Sequence, residues 1–152
     1  VYIAAFMVRD GQTLEEVMRQ IPPRAESANS LEISADGRFS KIAPDAVGRV
    51  FYNSSPPGLV VRARVLSGPE PMASFVTPLR ISEEAWGSVP RFYIECAQDR
   101  AVAPELQRLM QAALPCRGTI IMNTDHSPFY SGPADLARHL HSLAEELAGV
   151  RV

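Results

Sequence analysis

The feature that most constrains the fold is an alternation in the last third of the chain. Residues 91–97, Arg-Phe-Tyr-Ile-Glu-Cys-Ala, form a short, mostly apolar run with two aromatic residues, the pattern of a buried strand. Residues 104–113 then carry Leu106, Leu109 and Met110 on one helical face. A second strand is predicted over 118–123, and an amphipathic helix over 133–147 with Leu136, Leu140, Leu143 and Leu147 at helical spacing. Strand, helix, strand, helix with short connections requires parallel pairing through crossovers, hence an α/β layer. The opening run 1–6 is apolar at every position and includes β-branched and aromatic residues, as expected of a strand buried on both faces of the same sheet. Such a strand is an unusual place for a terminus, so residue 1 is read as a cut within a longer chain.

Between these parts the pattern is mixed. Thr13 and Glu16 have capping-box spacing for a short helix that Ile21-Pro22-Pro23 ends. Residues 31–42 alternate around Asp36-Gly37, the strongest hairpin signal in the chain. Helical spacing over 44–66 falls into two pieces, because Asn53-Ser54-Ser55-Pro56 looks like one helix end followed by the cap of another. Residues 68–78 read as a proline-rich linker, and 82–86 as a single turn closed by Gly87. The expected organisation is a core made of 1–12 and 87–152, with a small mixed α/β cap inserted at 13–86.

Composition limits the functional classes. With 46% hydrophobic and 21% charged residues and a net charge of −2, the chain has a globular balance and no excess charge to attract a polyanion. Its arginines are scattered and Lys41 is its single lysine, so no nucleic-acid stripe is present and no nucleic-acid partner is expected. No apolar run approaches the roughly 18 residues of a membrane span. Cys96 and Cys116 have no CxxC context and are expected to remain thiols in a cytoplasmic protein. There is no phosphate-binding glycine loop, HExxH or metal-ligand cluster, and neither metal nor cofactor is expected.

In open parallel sheets, chemistry collects beyond the carboxyl ends of the strands. Two loops leave such ends here: Gln98-Asp99-Arg100 after the strand at 91–97, and Thr124-Asp125-His126-Ser127 after the strand at 118–123. A carboxylate at one imidazole nitrogen fixes the tautomer and frees the other nitrogen to take a proton from a nucleophile. Acid before base, with a helix between, is also the chain order of a hydrolase triad whose serine comes earlier. The plainer readings are that Asp99 caps the following helix and that His126 is a structural loop residue. Asp125 is either a second carboxylate or a turn residue. His139 and His141 stand two apart on a helix and cannot chelate together. Trp86 is read as packing the cap against the core.

The segment Trp86-Gly87-Ser88-Val89-Pro90-Arg91-Phe92-Tyr93-Ile94-Glu95-Cys96-Ala97-Gln98-Asp99-Arg100-Ala101-Val102 resembles the acid-bearing stretch of the plant methylesterase and hydroxynitrile lyase family and its bacterial esterase relatives. Pro104-Glu105-Leu106-Gln107-Arg108 and Asp125-His126-Ser127-Pro128-Phe129 continue the match in register. Residues 1–6 look like the strand after the nucleophile helix, and Phe51-Tyr52-Asn53 like part of the cap. The resemblance implies an α/β-hydrolase core under a small mixed cap. It further implies that Asp99 orients His126, and that His126 activates a serine carried on an upstream segment or a companion chain. None of this chain's serines lies in a GxSxG elbow. The implied substrate is a small, largely apolar ester, touched by Ala101 and Val102 after the acid and by Ser127 and Phe129 after the base. The resemblance also allows a homodimer. The family's lyases place lysine directly after the base, where Ser127 stands here, which favours an esterase. A carbon–carbon lyase of the hydroxynitrile type stays open, as does a non-catalytic ligand-binding protein on the hydrolase fold.

Overall fold

The computed structural model describes residues 1–149. Its strands are β1 (Tyr2–Ile3), β2 (Leu31–Ile33), β3 (Phe39–Ile42), β4 (Glu70–Pro71), β5 (Phe92–Cys96) and β6 (Gly118–Met122). Its α-helices are α1 (Leu14–Met18), α2 (Pro44–Ala46), α3 (Pro57–Leu66), α4 (Ala73–Val76), α5 (Pro104–Ala113), α6 (Pro128–Ser131) and α7 (Pro133–Gly149). Strands β1, β5 and β6 form one parallel sheet in the order β1-β5-β6. Strands β2, β3 and β4 form a separate antiparallel sheet.

Alternation along the buried strand β5 divides the main core into two layers. Tyr93 packs with Met7, Val17, Val102, Leu106 and Met110 on the α5 side. Ile94 packs with Met122 and Leu136 on the α7 side. Ile94 is wholly buried, and its truncation to alanine would cost about 2–5 kcal/mol. Glu95 is buried on the α5 side as well, where Arg108 of α5 meets it at 2.6 Å. A carboxylate in that position is tolerated because the guanidinium reaches it from the rim.

The apolar run at the start forms a shorter strand than its pattern predicts. Ala4 donates to the Ile94 carbonyl at 3.0 Å, but its own φ is +47°, a left-handed conformation that turns the chain off the sheet. The segments entering and leaving the 13–78 excursion meet again. The Gly11 N–H donates to the Leu79 carbonyl (2.9 Å), the Leu79 N–H to the Gln12 carbonyl (2.9 Å), and the Ile81 N–H to Asp10 Oδ1 (3.0 Å).

Within the excursion, Thr13 and Glu16 form the full capping box on α1. The hairpin turns at Gly37, whose φ of +68° suits glycine. The stretch read as linker contains β4 and α4 instead. Pro71 pairs opposite Phe39 at the edge of the small sheet, a position where a missing N–H leaves no ladder bond unmade. Helix 44–66 is broken as expected: α2 runs into a π-helical turn at Val47–Phe51, and α3 starts at Pro57. Trp86 joins its own π-helical turn (Glu83–Gly87) to the main sheet, donating to the Tyr2 hydroxyl at 2.9 Å. The Arg91 guanidinium lies 3.9 Å over its ring.

Candidate active site

The in-register pairing of β5 and β6, from Phe92 opposite Gly118 to Cys96 opposite Met122, brings both carboxyl ends to one edge. Backbone bonds extend the pairing into the loops, from Ala97 N to the Met122 carbonyl and from Gln98 N to the Thr124 carbonyl, each 2.9 Å. Gln98 and Asn123 join side chain to side chain at 2.9 Å. The two loops therefore leave the sheet as a braced pair.

Asp99 turns inward and is 1% exposed. Its Oδ1 accepts from the backbone N–H groups of Ala101 (2.8 Å) and Val102 (2.9 Å). Its Oδ2 accepts from Gln107 Nε2 (3.1 Å) and lies 2.9 Å from His126 Nδ1. A carboxylate so surrounded accepts, so the proton of the last contact belongs to Nδ1 and the lone pair of the ring to Nε2. The His126 side chain keeps 27% of its exposure, whereas the Asp99 side chain keeps none. Phe51 meets the imidazole edge-on, with ring centroids 5.4 Å apart. Among the described residues, no side chain hydrogen-bonds to Nε2.

Gln107 is the residue that sequence reasoning left without a role. It is fully buried on α5 and makes four contacts around Asp99. Its Oε1 accepts from Cys96 N (3.1 Å), and its Nε2 faces the carbonyls of Val102 (2.7 Å) and Cys96 (3.4 Å) as well as Asp99. The sequence signal was present: a single amide on the apolar face shared by Leu106 and Met110 must find buried partners.

Asp125, next to His126, is also fully buried. Its Oδ1 accepts from Ser127 N (3.0 Å) and Ser131 Oγ (2.8 Å). Its Oδ2 accepts from Ser54 N (2.9 Å) and Ser55 Oγ (2.8 Å). The stretch 53–56, expected to hold a helix end and the cap of α3, supplies two of these donors, and no side chain caps α3.

The other predicted site residues lie in different surroundings. Ala101 lines a cleft of about 480 Å³ together with Phe6, Met18, Ile21 and Leu106, with Arg24 at its rim. Ala101 also packs against the cluster of Ala43, Ala46 and Val50, which Phe51 adjoins. The Val102 side chain belongs to the α5 core, and its contribution near the site is the N–H given to Asp99. Ser127 is 2% exposed, while Phe129 is 53% exposed and rests edge-on against Tyr130. His141 is exposed beside Glu145 at 3.3 Å. Among the described residues no group of three or more His, Cys, Asp or Glu side chains could hold a metal ion. No described helix is long and apolar enough to cross a membrane.

Two nearby groups are poor acid–base candidates. Burial pushes the Cys96 thiol up to about 11; the Thr124 hydroxyl opposes the shift, and the charges of Asp99 and Asp125 add to it. Burial, reinforced by Asp99, holds the Tyr93 phenol far above its ordinary range, and its hydroxyl donates to the Ala5 carbonyl at 2.7 Å. Both cysteines are free thiols.

A model of the alpha/beta hydrolase family matches residues 1–139. The chain belongs to this family. The putative chloroplastic methylesterase 15 of Arabidopsis thaliana is 31% identical over 155 residues, covering 95% of this chain and 35% of that protein. A crystal structure of a methylesterase from Arabidopsis superposes with a TM-score of 0.74 at 26% identity, covering 94% of this chain and 57% of the other. A pyrethroid hydrolase superposes with a TM-score of 0.81 at 24% identity, over 97% of this chain and 60% of that one, a likeness of fold. The chain thus spans about a third of the length of the first relative and less than two thirds of each solved structure.

Proposed function

We propose that this chain supplies the acid and the base of a serine-type carboxylic ester hydrolase. One observation carries the reading: His126 Nδ1 stands 2.9 Å from a buried carboxylate that three N–H donors hold in place. That arrangement leaves Nε2 as the one basic atom directed away from the support. The nucleophile is a serine outside these 152 residues, on an upstream segment or a companion chain. Its Oγ attacks the ester carbonyl as its proton passes to His126 Nε2. Collapse of the tetrahedral intermediate breaks the bond to the alkoxy oxygen, which leaves as the alcohol with that proton. Water then attacks the acyl-enzyme, giving a proton to Nε2, and the serine recovers it as the acid is released. Asp99 keeps the imidazole in its tautomer and balances the imidazolium that forms twice per cycle.

The substrate we propose is a small ester with an apolar portion, in keeping with the cleft beside Ala101 and with Phe51 against the base. The relatives named as methylesterases support the ester class. A neutral, buried Ser127 directly after the base favours hydrolysis over cyanohydrin cleavage, which would call for a cation there. The test is to label the full-length protein with a fluorophosphonate and map the adduct by mass spectrometry. The expected result is one modified serine outside residues 1–152, with labelling abolished by His126→Ala. Labelling that survives His126→Ala, or that falls on a serine within this chain, would overturn the proposal.

A further inference from the structure

Asp125 plays no part in the chemistry above, yet it is as deeply buried as Asp99 and carries as many hydrogen bonds. Its four donors come from two places. Ser127 N and Ser131 Oγ belong to the base's own loop and to α6, whereas Ser54 N and Ser55 Oγ belong to the break between the π-helical turn that follows α2 and the start of α3. A fifth bond runs in reverse, from Asp125 N to Ser54 Oγ at 3.2 Å. Asn53 adds a tie to the acid's loop, its Nδ2 donating to the Gln98 carbonyl at 3.2 Å. Phe51, which meets the His126 ring edge-on, lies just before these residues.

We infer that Asp125 is a positioning residue that clasps segment 51–55 over the base, so that the wall of the substrate site beside His126 is held by the loop carrying His126. This rests on the esterase reading for its kinetic consequence and on geometry alone for the clasp.

The donor set suits a carboxylate and no near-isostere. Each oxygen faces one backbone N–H, from Ser54 or Ser127, and a backbone N–H cannot reverse into an acceptor. In Asp125→Asn, either orientation of the amide sets an N–H₂ against a backbone N–H. One strand of the clasp must then open. At Ser54 the clasp is the main support: Ser54 is exposed, and among the described residues its N–H donates to Asp125 alone. Ser55→Ala is the milder version, removing a single bond from the 51–55 side and leaving the base's loop untouched.

The experiment compares full-length wild type with Asp125→Asn, Ser55→Ala and Ser34→Ala. Ser34 serves as the control because its hydroxyl bonds only within the hairpin turn, to Asp36 and from Phe39 N. Two readouts are taken: amide hydrogen exchange across 51–55, and kcat and KM on a chromogenic short-chain ester. The expected result is faster exchange of the Ser54 amide in both clasp variants, tenfold or more in Asp125→Asn, with exchange in β5 and β6 unchanged. KM rises several-fold in Ser55→Ala with kcat nearly kept, and Ser34→Ala matches wild type on both readouts. A lower Tm in the clasp variants with unchanged exchange at 51–55 would overturn the clasp, since a residue that only stabilises the fold gives that result. Unchanged KM in Ser55→Ala despite faster exchange would overturn its link to the substrate site. If the wild type labels with no fluorophosphonate and turns over no ester, the esterase reading fails by itself, and the exchange data still decide the clasp.

Discussion

The loop leaving β5 and the loop leaving β6 each bury an aspartate at the same sheet edge, and each aspartate collects four hydrogen bonds. What differs is the kind of donor. Three of the groups around Asp99 are amides, two from its own loop and one from Gln107, and the fourth is an imidazole able to accept and return a proton. The donors to Asp125 are two backbone amides and two hydroxyls, none of which changes charge near neutral pH. Asp99 is accordingly positioned to stabilise a charge that appears and disappears, while Asp125 is suited to hold segments together. Burial and hydrogen-bond number, which are alike for the two, say nothing about this distinction; the chemistry of the donors does.

Substitutions on the two sides should separate accordingly. The largest effect is expected at His126: if the proposed function holds, His126→Ala in the full-length protein should lower kcat about 10⁶-fold with the fold retained, as measured by ester turnover alongside circular dichroism. Asp99→Asn should lower kcat by about 10⁴-fold, because the amide favours the wrong imidazole tautomer. A variant with near-normal turnover would remove Asp99 from the acid role and erase the contrast with Asp125. Gln107→Leu leaves Asp99 its other donors but strips partners from Cys96 N and the Val102 carbonyl. It should cost about 1–3 kcal/mol in denaturant unfolding. It should also lower kcat up to about 10²-fold through misplacement of the acid. The smallest effect belongs to Ser131→Ala on the Asp125 side. A loss of about 1 kcal/mol is expected there, with exchange of the Ser54 amide unaltered because that amide bonds to the other oxygen.

Local pattern carried much of the architecture. Strands β5 and β6, helices α5 and α7, the Thr13–Glu16 capping box and the turn at Gly37 are each written within a few consecutive residues, so periodicity and turn chemistry suffice to find them. The same is true of Asp99 and His126 as loop residues beyond two strand ends.

Where the sequence was silent, the answer depended on residues far apart in the chain. Whether Asp99 reaches His126 depends on the register of β5 against β6, which no window of sequence contains. Gln107 was visible as a polar residue on an apolar face, but its partners Cys96, Asp99 and Val102 are set by how α5 docks. The stretch Asn53-Ser54-Ser55-Pro56 carries a helix-cap signal, yet no side chain there caps α3; the Ser54 N–H and the Ser55 hydroxyl donate instead to a buried carboxylate some 70 positions later in the chain. The proline-rich stretch at 68–78 holds a strand because an edge of the small sheet was there to receive it. In short-range features the chain's own chemistry decides; in the choice of partner for a polar group, desolvation makes the decision, and only the packed structure shows which groups have lost their water.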